Sequence, residues 1–449
     1  MKRRDFLEAG LAGGAGLAWL SSEAAAQEKP ALAKPTADSL RVALIGCGEQ
    51  GRVLVNAATL IPGIRFRAIA DIWKYRRRAA KYYLETYKHE VNDYDDYREM
   101  LDRQKDLDAV IIATPDFVHA EQTNACLQAG LHVYCEKMMS SSLEGARSMV
   151  RAMRATGKLL QIGYQRRSNP RYLHVHDNLL GKAKLAGRLT QAHTQWGHPV
   201  REDLGWPKKQ ALSEAMLQQY GYANMHEFRN WRFFKKYGAG PLADFGSQQI
   251  DVCRWMLGAL PKSVLAAGGL DYYQGRQWHD NAMAILDYQT PQGLVRASCQ
   301  VLTATSAGAE AFFEQLMGTD ATIRISENPK WTKVFREAHA ADWEPWVKQG
   351  LLAKQQAAEA AKQEPSKPED PYEVRVRETG QVTTYEIPVV LDKPSHQPHL
   401  ENFFDAIRGK AKLACPAEEA FRTEVIVHKL NEAITAGKAL ELRPEDFAV

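Results

Sequence analysis

The run RVALIGCGEQGR sets Gly46, Gly48 and Gly51 in a G-x-G-x-x-G array directly behind an apolar stretch. Each glycine answers a steric need of a phosphate-binding turn. Gly46 makes the sharp bend, Gly48 lets a pyrophosphate approach the backbone, and Gly51 lets helix and strand pack closely. Glu49 and Gln50 complete the turn, and the N–H groups that open the next helix face the anion. Asp71 follows twenty residues after Gly51, at the end of RFRAIAD, where a carboxylate takes the ribose hydroxyls of NAD. Its plainer reading is a helix cap. Lys74 and Arg76–Arg78 form a basic cluster beside it. They read either as a 2′-phosphate site or as a solvated helix face. The Asp71 carboxylate would repel that phosphate, so NAD is expected, with NADP as the alternative.

A second stretch, ADFGSQQID, spans 243–251. On a helix Asp244, Gln248 and Asp251 fall at i, i+4 and i+7 and share a face. That face is polar for the start of a buried helix. A carboxylate there can serve proton transfer. Glutamine can orient a hydroxyl but does not titrate. Gln249 points about 100° away from Gln248 and is no substitute for it.

These residues need a scaffold. Strand-like runs alternate with helical ones: RVALIG, then VLVNAATL; RFRAIAD; LDAVIIAT, then PDFVHAEQTNACLQAG; LHVYCEK, then SLEGARSMVRAMRATG; and KLLQIGY. Apolar strands alternating with helices predict a parallel, doubly wound sheet over 40–163. Ligands of such sheets sit beyond the carboxyl ends of the strands. Thr114, Pro115, His119, Glu136, Lys137 and Gln165 are therefore expected along one crevice. His119 reads equally as a capping or core histidine. After residue 163 the alternation stops. RLTQAHTQWG, SVLAAGG, NAMAILDY, LVRASCQVL and ATIRIS predict an open, largely antiparallel sheet. The fold class is α/β, a Rossmann domain followed by an α+β domain over 164–449. Residues 338–368, rich in Ala, Lys, Gln and Glu with Trp343 and Trp346, predict an inserted exposed helix. C-terminal helices are expected at about 398–436, returning to the domain junction.

The 449 residues allow two or three domains. With 45% hydrophobic and 25% charged residues and a net charge of +4, neither nucleic acid nor an anionic membrane surface is indicated as the main partner. Six scattered cysteines without a CxxC pair argue against a disulfide framework or a thiolate metal site, and no metal is expected. The N-terminus reads MKRRDFLEAGLAGGAGLAWLSSEAAAQ. Arg3 and Arg4, a short Gly/Ala-rich apolar run and small residues give the order of a signal peptide over 1–27. Its RRxFL core is like a twin-arginine signal, and the apolar run is too short to span a bilayer. Export to the periplasm is expected, with 28–39 as a linker.

GCGEQGR, Asp71, ATPDFVHAE and CEKMMS, in this order, resemble the glucose–fructose oxidoreductase / inositol dehydrogenase / MocA family from about residue 40 to the C-terminus. Met138 stands where the family's E-K-P has proline. The resemblance implies a nicotinamide-dependent oxidoreductase acting on a sugar, sugar derivative or cyclitol, in a dimer or tetramer. It places Lys137 between nicotinamide and substrate, where it binds the substrate hydroxyl and helps move its proton. The family has an aspartate followed four residues later by a histidine; Asp244 matches the first, and Gln248 stands at the second. Acid–base work then falls to Lys137, with Asp244 behind it, or to Tyr164, His279 or His396. Gln165, Arg166, Trp231, Arg232 and His279 are candidate substrate contacts. Two alternatives stand beside this reading: a redox-neutral exported enzyme with retained NAD, and a catalytically weakened cofactor- or sugar-binding homologue.

Overall fold

The computed structural model describes Thr36 and residues 38–306, 312–354 and 383–449. The signal-peptide segment 1–27 and most of the 28–39 linker lie outside these residues. Strands β1 (Leu40–Ile45), β2 (Ile64–Ala70), β3 (Asn92–Tyr94), β4 (Ala109–Ile112), β5 (His132–Cys135) and β6 (Leu160–Ile162) form a parallel sheet ordered β3-β2-β1-β4-β5-β6. The order reverses between β1 and β4, which is where such sheets open a ligand crevice. Helices α1 (Glu49–Ala58), α2 (Lys74–Thr86), α3 (Tyr97–Arg103), α4 (Asp116–Gln128) and α5 (Leu143–Thr156) connect the strands. Residues Val42–Ile45 of β1 are all buried, because helices cover both faces of the sheet. Leu54 of α1 and Leu84 of α2 pack on one face, and Met149 and Val150 of α5 on the other. α5 starts on a Ser142 side chain that accepts from Gly145 N–H and stops at left-handed Gly157, the two usual signals of helix ends.

The second domain begins with short helical turns over 165–182 and strand β7 (Leu189–Gly197). A long excursion follows, carrying α6 (Glu214–Gln219) and α7 (Met225–Arg229), and the chain returns in α8 (Ser247–Leu257). Strands β8 (Pro261–Gly269), β9 (Asn281–Thr290), β10 (Gly293–Leu302), β11 (Phe312–Gly318), β12 (Ala321–Ile325) and β13 (Lys333–Arg336) build most of the second sheet. Short α9 (Glu344–Lys348), β14 (Ala353–Lys354) and β15 (Thr383–Glu386) follow. The chain ends in α10 (Gln397–Ile407), α11 (Ala417–Ala436) and β16 (Leu440–Glu441). Among the described residues the sheet runs β14-β15-β13-β12-β11-β7-β10-β9-β8-β16. All its pairs are antiparallel except β7 with β10. α8 and α11 cover its inner face. Leu400, Phe403 and Phe404 of α10 pack with Val42, Leu44 and Leu54 in the first domain's core, so the C-terminal segment clasps the domain junction.

The expected helix over 338–368 is corrected in its described part. Only the five residues of α9 are helical before β14 begins. Trp343 is 3% exposed and packs on Tyr385 of β15, and Leu352 is 2% exposed. Burial of these side chains ties the segment to the sheet edge, overriding its helix-favouring composition. Residues 355–368 lie outside the described residues.

Candidate active site

The glycine-rich turn is built by steric exclusion. Gly46 has φ +94°, and a Cβ there would lie 2.6 Å from Ala113 O. A Cβ on Gly51 would lie 2.0 Å from Gly46 O. Gly48 differs, because a Cβ there meets nothing within 4 Å. Open space over its backbone is what a dinucleotide's pyrophosphate needs. Asp71 Oδ2 accepts from Cys47 N–H and Oδ1 from Trp73 N–H, both at 2.7 Å. The turn thus fixes the carboxylate, and each oxygen keeps a lone pair for a hydroxyl. The residues present fit NAD. Arg77 is spent on structure, bonded to Asp93 at 3.0 Å and to Asp71 O at 2.7 Å.

Three loops at the strand ends are tied together. His119 is buried with Nδ1 2.7 Å from Met138 O and Nε2 2.7 Å from Thr114 O. It links the loop after β4 to the loop after β5. Burial pulls its pKa down to about 4, so it is a structural tie rather than an acid–base group. Thr114 Oγ1 donates to Gln122 at 2.6 Å. Pro115 caps α4. Gln50 Nε2 donates to buried Glu136 at 3.0 Å and lies 3.0 Å from His396 Nε2 at the start of α10. Burial pushes the Glu136 carboxyl up and drives His396 down to about 4.

Lys137 leaves β5 toward the second domain. Its Nζ donates to the main-chain carbonyl of Asp244 and sits 3.6 Å from the Asp244 carboxylate. Arg232 Nε reaches the same carboxylate at 3.2 Å. Burial works against the Asp244 charge, but Arg232 and Lys137 outweigh it and the pKa falls to about 2. Residues 242–246 form a π-helical turn that runs into α8, so Asp244 sits at a wide turn rather than in the regular helix. Gln248 Nε2, one turn on, donates to Gln165 Oε1 at 2.5 Å. Its own Oε1 is buried with no protein partner. Asp251 faces elsewhere: Arg167 grips it at 2.7 and 2.9 Å and Thr423 at 2.8 Å.

Several expected contacts fall outside this cluster. Arg166 is 1% exposed and paired with Glu314 inside the second sheet, among Phe312, Trp196 and Tyr172. It is a core ion pair and not a substrate contact, because its side chain is buried against the second sheet, paired with Glu314 and Glu327. Tyr164 is fully buried and donates to Glu424 at 3.2 Å, so it does not reach the crevice. His279 stands edge-on to Trp278, whose ring lies where a Cβ on Gly240 would go. It belongs to the wall behind the 238–240 turn, and burial takes its pKa down to about 4. Trp231 stacks under the Arg232 guanidinium at 4.3 Å.

One residue escaped the sequence. Asp116, the first residue of α4, is 7% exposed. Burial raises its carboxyl to about 7, against the pull of Arg232 and Lys137 and with the push of Asp244. Its proximity to Lys137 arises from tertiary packing, and only its place next to Thr114-Pro115 hinted at it. Among the described residues no cluster of metal-ligating side chains occurs, and no helix is long and apolar enough to cross a membrane.

Residues 40–164 match the profile of an oxidoreductase family with an NAD-binding Rossmann fold, and 217–442 match the family's C-terminal alpha/beta domain. An inositol 2-dehydrogenase of Salmonella typhimurium is 31% identical over 153 residues, 34% of this chain and 44% of that protein. Inositol 2-dehydrogenase 2 of Saccharopolyspora erythraea is 27% identical over 222 residues, 49% of this chain and 54% of that protein. The chain thus spans about half the length of these curated relatives. A levoglucosan dehydrogenase solved with NADH and L-sorbose superposes at TM-score 0.66, covering 91% of this chain and all of its own, at 17% identity. WlbA dehydrogenase from Bordetella pertussis, in complex with NADH and UDP-GlcNAcA, gives TM-score 0.63 over 90% and 99%, also at 17% identity. At these identities the likeness is one of fold.

Proposed function

The chain belongs to this NAD-binding oxidoreductase family, and on that premise we propose that it moves a hydride between NAD and a hydroxyl-bearing carbon of a sugar, sugar derivative or cyclitol. The observation that carries the reading is Lys137 held against Asp244 where the strand-end crevice of the first domain meets α8 of the second. Bound NAD supplies the ring that accepts or returns the hydride. The protein does the rest. The Gly46–Gly51 turn and Asp71 hold the dinucleotide. Lys137 Nζ binds the reacting hydroxyl and relays its proton, giving one N–H proton toward the Asp116 carboxylate as it takes the hydroxyl's, while Asp244, itself held by Arg232, fixes Nζ in place. The paired amides of Gln165 and Gln248 orient neighbouring hydroxyls; they align a polyol without titrating. Asp116, with its carboxyl near 7, is a nearby group able to change charge at neutral pH. NAD is preferred over NADP because a 2′-phosphate would meet the Asp71 carboxylate.

The test is NADH formation from NAD across a panel of cyclitols and pyranoses. Turnover by the wild type that Lys137→Met abolishes supports the reading. A wild type that binds NAD and oxidises nothing in the panel counts against it. The N-terminal MKRRDFLEAG stretch supports export in the folded state by the twin-arginine route. Changing Arg3 and Arg4 to Lys should then leave the protein in the cytoplasmic fraction; periplasmic recovery of that variant would refute the route.

A further inference from the structure

The excursion between β7 and α8 packs on the first domain as well as on the connection between β8 and β9 of its own sheet. Trp73, two residues after Asp71, is 3% exposed, and its indole N–H donates to Gln210 O at 2.5 Å. Tyr220 donates to Asp96 at 3.3 Å. Phe117, two residues after Pro115, stands edge-on to Tyr222 and Tyr237, with centroids 5.5 and 5.2 Å away. Phe228 packs at 5.7 Å from Trp73 and 4.9 Å from Tyr222. Trp73 lies in the loop after β2 and Phe117 in the first turn of α4, just past the loop after β4; β2 and β4 are the two neighbours of β1. The excursion therefore bridges both banks of the groove above the glycine-rich turn, through an apolar cluster of its own.

The underside of this bridge is cationic. Arg229 lies 5.1 Å from the Trp73 ring, and Arg76 lies 5.7 Å from it and 3.8 Å from Glu49. Arg76 Nε is buried without a protein partner. Arg76 and Arg229 thus bring two guanidinium groups to the Trp73 side of the turn, beside Glu49 and the open space at Gly48. A pair of guanidinium groups matches a diphosphate.

We propose that residues 199–236 form a strap that closes the outer wall of the dinucleotide site, with Arg76 and Arg229 clamping the phosphates, so that the cofactor leaves only when the strap opens. The proposal rests on the NAD-dependent reading above. It adds to that reading which residues of this chain hold and release the cofactor.

The experiment is release of NADH from the full-length mature protein, followed by loss of its fluorescence when excess NAD is added as a trap. Arg229→Ala and Arg76→Ala should each speed release by about tenfold, the loss of one charge-assisted contact. Arg229→Lys should fall between, and Phe228→Ala should speed release with the phosphate contacts intact. Melting curves identify any variant that has lost its fold. Complete release from the wild type within a second of mixing would overturn the strap and leave a dehydrogenase with exchanging cofactor. Slow release unchanged in all four variants would overturn the strap as its cause. Failure of the wild type to bind NADH would overturn the proposed function as well.

Discussion

Lys137 can serve a substrate only if its ammonium is steered, and Asp244 does the steering from its main chain and its side chain. Replacing Lys137 by Met should slow hydride transfer in single-turnover stopped flow by about 10²–10⁴, with NADH binding little changed. Asp116 should be visible in the pH profile. Its carboxyl is neutral below about 7 and charged above it, so alcohol oxidation should rise through that pH, and Asp116→Asn should flatten the rise. An unchanged profile would remove Asp116 from the proton path. Asp71 and Lys137 could be singled out in the sequence because each stands at a strand end beside a motif, and Asp244 because it matches the family's aspartate. Arg166 could not. Its charge suggested a crevice, yet its partner Glu314 is 148 residues away in sequence, and only the folded sheet joins them. Asp116 was hidden for the same reason: what raises its carboxyl is burial, which its own neighbours in sequence do not encode.

The loop that presents Lys137 rests on α11. Glu424 accepts from Met139 N–H at 3.0 Å and from Tyr164 at 3.2 Å. Burial raises its carboxyl from 4.5 to about 8. The folded protein therefore holds this proton more tightly than the unfolded chain. The resulting stability is fully present below pH 4.5 and is lost as pH rises through about 8. Glu424→Gln keeps a carbonyl acceptor and removes the titration. Its melting temperature should match the wild type near pH 5 and exceed it near pH 9; equal losses in both proteins would refute the assignment. The Arg167–Asp251 pair ties the 165–168 turn to α8, and Thr423 of α11 donates to the same carboxylate. Asp251→Asn would strand a buried guanidinium and should cost about 3–5 kcal/mol in urea unfolding. At this scale the βα alternation was plain in the apolar runs. The segment after 338 was not, because Trp343 and Leu352 find a sheet edge that composition does not announce.

At the scale of the molecule, one face of the second sheet is left uncovered among the described residues. Leu265, Met283 and Ile285 are 44%, 54% and 45% exposed there, and Leu265 and Ile285 are register partners on adjacent strands. An apolar sheet face of this kind fits a second copy of the chain. Light scattering should give a dimer or higher oligomer, and Ile285→Arg should shift it toward monomer; a wild-type monomer would refute this. The central claim is hydride transfer at Lys137, and deuterium tests it most directly. The protein is mixed with NAD and a panel of cyclitols and pyranoses deuterated at their secondary carbons, and the nicotinamide is analysed by mass spectrometry. Deuterium is expected on the reduced ring with the wild type, and with Lys137→Met it should accumulate about 10²–10⁴ times more slowly. Absence of deuterium from the ring of an NAD-loaded wild type across the whole panel, or equal transfer by Lys137→Met, would contradict it.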